Sequence, residues 1–410
     1  AYTNSGVVVG GFSSRKDSIG FIPEYDQQYE ATDLGATARV PSGQMDLFSS
    51  DFKYPQVFRA NIGFDQKLPW GMVGTIEAVF TKTLNNVLYY NLNYNPDPVR
   101  NLTGVDTRPY FDNRNKIDGT YDRIILGTNT NKGYSYNFTA SVEKPFAKNF
   151  AANVAYTFGR SMALNDATSS QNSSQWRYME YVRGLNDLDL SVSDFDMGHR
   201  VLAYLTYQVE YLKHAATTIS IFYNGQSGMP YSYIYDDFNA SVNGGNGLNG
   251  WARENEGTLI YIPKTKEEIV FANAETADAQ WEALNQFIEN DRYLSKHRGE
   301  YAARNGARTP FEQMIDLKIA QDFFVRTGNT KHKLQLTLDI FNLANLINPV
   351  WGPKYFAYVN TMQLISFKGF EADGTTPTFE FKTPNSVYSV DDSGIRSSRW
   401  MAQIGIRYAF

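Results

Sequence analysis

The residues in this chain best suited to chemistry are oxygen donors and aromatic rings, spread out rather than gathered into a catalytic set. The run Asp236-Asp237-Phe238-Asn239, with Asn243 and Asn246 close by, offers oxygens to a hard cation such as Ca2+. Asp236, Asp237 and Asn239 would be the ligands. The run lacks the mid-loop glycine and distal glutamate of an EF-hand, so an oxygen-rich loop is the plainer reading. Asp187, Asp189, Asp194 and Asp196 raise the same question, with a solvated loop as the default. Two stretches concentrate rings: Trp176-Arg177-Tyr178-Met179-Glu180-Tyr181 and Met229-Pro230-Tyr231-Ser232-Tyr233-Ile234-Tyr235. Trp176, Tyr178, Tyr231, Tyr233 and Tyr235 could stack on sugars or hold a peptide. Loop packing or an aromatic girdle is the alternative use of the same rings.

Catalytic signatures are missing. His199, His214, His297 and His332 stand far apart without a HExxH pair, and no GxSxG, P-loop or helix-opening GxGxxG occurs. With no cysteine, disulfides, thiolate catalysis, cysteine-ligated zinc and iron–sulfur clusters are excluded. No enzyme is expected, and no cofactor beyond a loop Ca2+. Net charge is −5, and the basic residues are scattered, so a nucleic-acid partner is not expected either.

The elements that carry these loops read as β-strands, because apolar residues recur with period 2. Tyr134, Tyr136, Phe138, Ala140 and Val142 alternate with Ser135, Asn137, Thr139, Ser141 and Glu143. Phe150 to Phe158, Phe58 to Phe64, Gly74 to Phe80, Val201 to Val209, Ile315 to Ile319 and Leu334 to Ile340 repeat the pattern. About ten strands are expected, many long enough to cross a bilayer at a tilt. Short joins fall at Leu68-Pro69-Trp70, Phe146-Ala147-Lys148, Leu212-Lys213-His214 and Gly328-Asn329-Thr330. The other connections run to roughly 40, 40, 80 and 50 residues, far above the usual length. Short and long alternate, so antiparallel strands place all short turns at one end and all long loops at the other. A soluble sandwich has no reason to sort its loops this way. A transmembrane barrel does.

The last strand strengthens that reading. Trp400, Ala402, Ile404, Ile406, Tyr408 and Phe410 share one face, and Gln403, Gly405, Tyr408 and Phe410 fit the terminal assembly signal of outer-membrane barrels. The fold expected is all-β: an antiparallel transmembrane β-barrel with apolar residues facing lipid. Asp65, Glu77, Glu143, Glu210, Asp316, Lys333 and Asp339 would face a wet lumen. A large extracellular insertion, 228–310, should contain short helices. Thr265-Lys266-Glu267-Glu268 has the pattern of a capping box, and Trp281, Leu284, Phe287 and Ile288 form one helical stripe. That stripe would pack as a lid or grip a partner. The chain opens Ala1-Tyr2-Thr3-Asn4 without a signal-peptide pattern, which fits a removed leader or a longer precursor.

Several segments resemble the Oar-like TonB-dependent receptors of the Bacteroidota outer membrane. They are Gly257-Thr258-Leu259-Ile260-Tyr261-Ile262-Pro263, His297-Arg298-Gly299-Glu300, Arg304-Asn305-Gly306-Ala307-Arg308-Thr309-Pro310-Phe311, Asp316-Leu317-Lys318-Ile319 and Leu338-Asp339-Ile340-Phe341-Asn342-Leu343-Ala344-Asn345. The likeness spans most of the chain in order. It implies a barrel of about 22 strands, a plug and energy coupling through TonB. No plug-like segment or TonB-box is read before Val7-Val8-Val9, so residues 1–410 are expected to be the C-terminal portion of such a barrel. The implied partners are outer-membrane lipid, an N-terminal barrel half with its plug, TonB through that plug, and a surface lipoprotein. A receptor importing a bulky peptide, protein or glycan is the expected function. A surface adhesin or scaffold and a passive porin are the alternatives, and no residue identifies the substrate.

Overall fold

The computed structural model describes residues 22, 27, 43–111, 116–119, 121–211, 214–236, 257–328, 330–392 and 398–410. Its main feature is a curtain of long strands: β1 (Gln56–Leu68), β2 (Met72–Asn91), β3 (Gly133–Ala147), β4 (Phe150–Ala163), β5 (Gly198–Tyr211), β6 (Ala215–Gln226), β7 (Glu312–Thr327), β8 (Thr330–Phe341) and β9 (Met401–Ala409). Each pairs antiparallel with the next in sequence. The early Val7–Val9 stretch lies outside the described residues.

The loops sort as their lengths predict. Lys148 and Asn149 join β3 to β4 with φ of 52° and 68°, and Trp70 and Gly71 join β1 to β2 with φ of 61° and 71°. Left-handed residues at such turns match the right-handed twist of the strands they connect. Gly328 opens the β7–β8 turn at φ 63°; Asn329 and residues 212–213 lie outside the described residues. The long connections, 92–132, 164–197, 227–311 and 342–400, all leave from the opposite end.

Register decides which side chains share a face. Phe64, Ile76, Ala140, Tyr156 and Val201 lie in one cross-strand row, and Leu205, Ile221, Leu317, Ile340 and Ala402 in another. On the reverse face runs a polar row, Glu77, Thr139, Thr157, Arg200, Gln226 and Glu312. There Lys318 pairs with Asp339 at 2.7 Å and Lys333 with Asp322 at 2.8 Å. Among the described residues the apolar face has no protein cover: Ile62 is 75% exposed, Phe138 55%, Val154 56%, Leu336 39% and Ile404 79%. A continuous apolar face of this extent is stable against hydrocarbon and not against water. Among the described residues, β1 and β9 each have one neighbour, so the curtain is open at both edges.

At β9, Gln403 faces Asp339, Gly405 faces Thr337 and Tyr408 faces Leu334. A Cβ on Gly405 would stand 2.6 Å from Thr337 Oγ1, so a side chain there would have to displace that hydroxyl. The Tyr408 hydroxyl lies 2.6 Å from His332 Nδ1, and Phe410 ends the strand fully in the open.

Candidate functional site

The long connections fold together above the wall into one body with its own core. Its frame is a second sheet, in the order Val270–Phe271, Pro377–Glu380, Thr361–Phe370, Pro230–Asp236 and Ala307–Arg308. The helix Ala277–Asn290 lies against it, burying Leu284 and Ile288 completely while Trp281 and Phe287 pack at the margin. The predicted stripe is therefore core. Thr265 does not cap a helix through its side chain: only the single 3-10 turn Lys266–Glu268 forms, and Glu268 Oε2 accepts from the Lys264 amide at 2.7 Å. The following residues return to extended backbone, and a single turn offers too few free amides for a reciprocal box.

Pro230–Asp236 is the central blade. Tyr231, Tyr233 and Tyr235 project from one face into the core, and Ile234 packs from the other against Val182 and Leu259. The Tyr231 and Tyr233 hydroxyls are 3.0 Å apart, Tyr233 donates to Asp291 at 2.8 Å, and Tyr235 stacks on Phe379 at 5.1 Å. Burial raises both the Tyr231 and Tyr233 phenols above their ordinary range. Trp176 is likewise interior, stacked on Tyr94 at 5.8 Å with Nε1 donating to Asn186 at 2.8 Å. These four rings were candidates for stacking on a ligand; with both faces occupied by protein, they present nothing to one. Tyr178 alone is in the open, at 61% exposure, with the Arg177 guanidinium over its ring.

The proposed cation loop is not assembled from described residues. Asp236 ends the blade and accepts from Ser366 Oγ at 3.3 Å, whereas Asp237 and Asn239 lie outside the described residues. Asp187 and Asp189 both bind Arg183, at 2.6 and 2.7 Å. Among the described residues no group of three histidine or carboxylate side chains is placed to hold a metal.

Two buried ionic centres, unforeseen from sequence, tie the loops to one another. In the first, Arg108 is wholly buried, 2.8 Å from Asp106, and its guanidinium lies over the rings of Tyr235 and Tyr301 at 5.3 and 5.1 Å. Burial works to discharge Arg108, but Asp106 outweighs it and holds the guanidinium above its ordinary value. Tyr301 donates to Asp106 at 3.0 Å, and burial together with that carboxylate pushes its phenol up to about 12. This centre fastens loop 92–132 to loop 227–311.

The second centre fastens loop 164–197 to the same body. Arg304 reaches Asp166 at 3.3 Å and the Ala163 carbonyl at 2.6 Å. Asn305 donates to Asp194 at 2.6 Å and to the Val192 carbonyl at 3.0 Å, and Arg308 pairs with Asp196. Burial raises the Glu180 carboxyl to about 7 against the pull of Arg304, with Asp194 and Asp166 adding to the rise. Three carboxylates thus share the field of Arg304. The sequence clue was Arg304-Asn305-Gly306-Ala307-Arg308, two arginines closely spaced around a glycine within a segment that carries the family resemblance.

The arrangement is a wall that is apolar outside and polar inside, with a cross-braced body seated on its loop end. No curated protein matches the chain in sequence. A family model described as an outer membrane beta barrel domain matches residues 7–353, a span that includes β1 to β8 and most of the body. Its location is the bacterial outer membrane, and the chain belongs to the outer membrane beta barrel domain family.

Proposed function

We propose that the chain is the wall and ligand-facing loop body of a TonB-dependent-type receptor, importing a bulky substrate such as a peptide, protein or glycan by binding and gating rather than by catalysis. The observation that carries this reading is the body itself. Loops 92–132, 164–197 and 227–311 are locked together by Arg108 and Arg304, which costs desolvation that a simple pore would have no use for. The likeness to Oar-like receptors supports it. So do the edges of β1 and β9, unpaired among the described residues, which in lipid call for further strands, and a larger barrel of about 22 strands would supply them. A plug and the TonB contact belong, in this reading, to an N-terminal part of the same barrel.

The test is conductance together with coupling. Full-length protein in planar bilayers is expected to pass almost no steady current and to be retained by the periplasmic domain of TonB. A large, steady, energy-independent conductance would make it a passive porin instead. A second reading, adhesin or scaffold, is favoured by one feature: Ile347, Val350, Trp351, Tyr358 and Val359 are exposed together on loop 342–400. Retention of a surface lipoprotein through that patch, without TonB binding, would decide for it.

A further inference from the structure

A cleft of about 540 Å³ opens at the base of the body, between the helix Ala277–Asn290, the start of β7 and residues 383–388. Its position follows from register. Above the wall the β6–β7 hairpin keeps its register across residues 227–229 and 309–311, which leave the strand: Gln226 faces Glu312, the Thr309 amide bridges the gap to the Met229 carbonyl, and Pro230 and Tyr231 face Arg308 and Ala307. Tyr231, Thr309 and Phe311 therefore continue the face that carries Ile221, Tyr223, Ile315 and Leu317 below. Phe311 and Tyr223 both lie over Gly225, whose missing side chain makes room for them. The cleft thus stands directly above the lipid-facing surface, at the depth where aromatic residues give way to headgroups.

Its chemistry suits that level. Phe287, Phe311 and Tyr388 supply ring surface, over a floor that includes the buried Tyr231. Arg292 lines the cleft, is exposed, and enters no ion pair among the described residues. Thr309 is buried there with its Oγ1 lacking a hydrogen-bond partner. Asp291, the nearby acid, is already engaged: Oδ1 accepts the Tyr293 and Leu294 amides at 2.9 and 2.8 Å, and Oδ2 the Tyr233 hydroxyl. A guanidinium fork recognises a phosphate, and the rings below accept the first methylenes of its chains. We infer that this cleft binds a phosphate-bearing amphiphile of the outer leaflet and so seats the body on the membrane surface, independently of any transported substrate.

The probe is dihexanoyl phosphatidic acid, titrated into the detergent-purified full-length protein by calorimetry, with dihexanoylglycerol and inorganic phosphate as comparators. The phospholipid is expected to bind at least tenfold more tightly than either comparator. Arg292→Gln should remove about tenfold of that affinity, with the glycerol comparator unaffected. Arg399→Gln, a surface arginine elsewhere, should change nothing. Equal binding of the phospholipid and dihexanoylglycerol would overturn the inference, as would an unaltered Arg292→Gln protein. Inorganic phosphate binding as tightly as the phospholipid would show a soluble-anion site and overturn the lipid assignment.

Discussion

In the wall, Ile62 and Ile404 are among the most exposed side chains of the molecule; in the body just above, Tyr233 and Ile262 are wholly buried. Both regions are sheet built from the same residue types, antiparallel throughout in the wall and mixed in the body. They differ in which medium removes apolar surface from water. The wall leaves that to acyl chains and turns its charges inward, where Lys318 and Asp339 meet. The body does it with its own helix and sheet. Alternation by itself therefore does not distinguish a lipid-facing strand from a core strand; what covers the apolar face does.

The sharpest way to break the comparison is to remove a large ring from the body. Trp176→Ala should cost about 3–5 kcal/mol of the body's stability while leaving the wall folded. The check is selective loss of near-ultraviolet dichroism and faster proteolysis within loop 164–197, with the heat-modifiable gel shift of the barrel retained. Next, Phe138→Arg on the apolar face should cost about 2–4 kcal/mol in urea titrations from lipid vesicles, whereas Thr139→Arg, one residue on and facing inward, should cost under about 1 kcal/mol. Equal costs at the two positions would mean that the wall does not sit in hydrocarbon.

A smaller effect should come from pH. The Glu180 carboxyl titrates higher in the folded body than its ordinary value of 4.5, so the fold favours its protonated form. That stabilisation is complete in acid below the ordinary value and is lost as pH rises through about 7. Loop 164–197 should accordingly become more protease-sensitive between pH 5 and pH 8.5, and Glu180→Gln should flatten the profile at its acid level. The least effect is expected at Tyr178. Tyr178→Ala should change stability by no more than about 0.5 kcal/mol, because the exposed ring packs on little besides Arg177. A large loss there, by the same proteolysis assay, would show that the body extends further than its buried core.

What the sequence disclosed tracks the range of the interactions involved. Strand positions, facing and loop sorting depend on residues two apart and on turn spacing, so Phe138, Val154 and Leu336 could be assigned to the outer face directly. The terminal strand was legible for the same reason. The Tyr231, Tyr233 and Tyr235 ladder was not, because its burial depends on partners such as Asp291 and Phe379, far along the chain. A tyrosine repeat bound for a girdle and one bound for a core look alike locally. Arg304 was hidden by the same distance, its acid Asp166 lying on another loop; Arg108 sits two residues from Asp106, and what the sequence concealed there was the burial of the pair beneath Tyr235 and Tyr301.

The register that the β6–β7 hairpin keeps above the wall has a mechanical consequence. Residues 227–229 and 309–311 leave the strand, yet the Thr309 amide still reaches the Met229 carbonyl and Tyr231 still faces Ala307, so the body is tied closely to the wall at its foot. A pull on the body would load those contacts in series, peeling them from the top, and a tug from inside the barrel would be felt at the cell surface along the same tether.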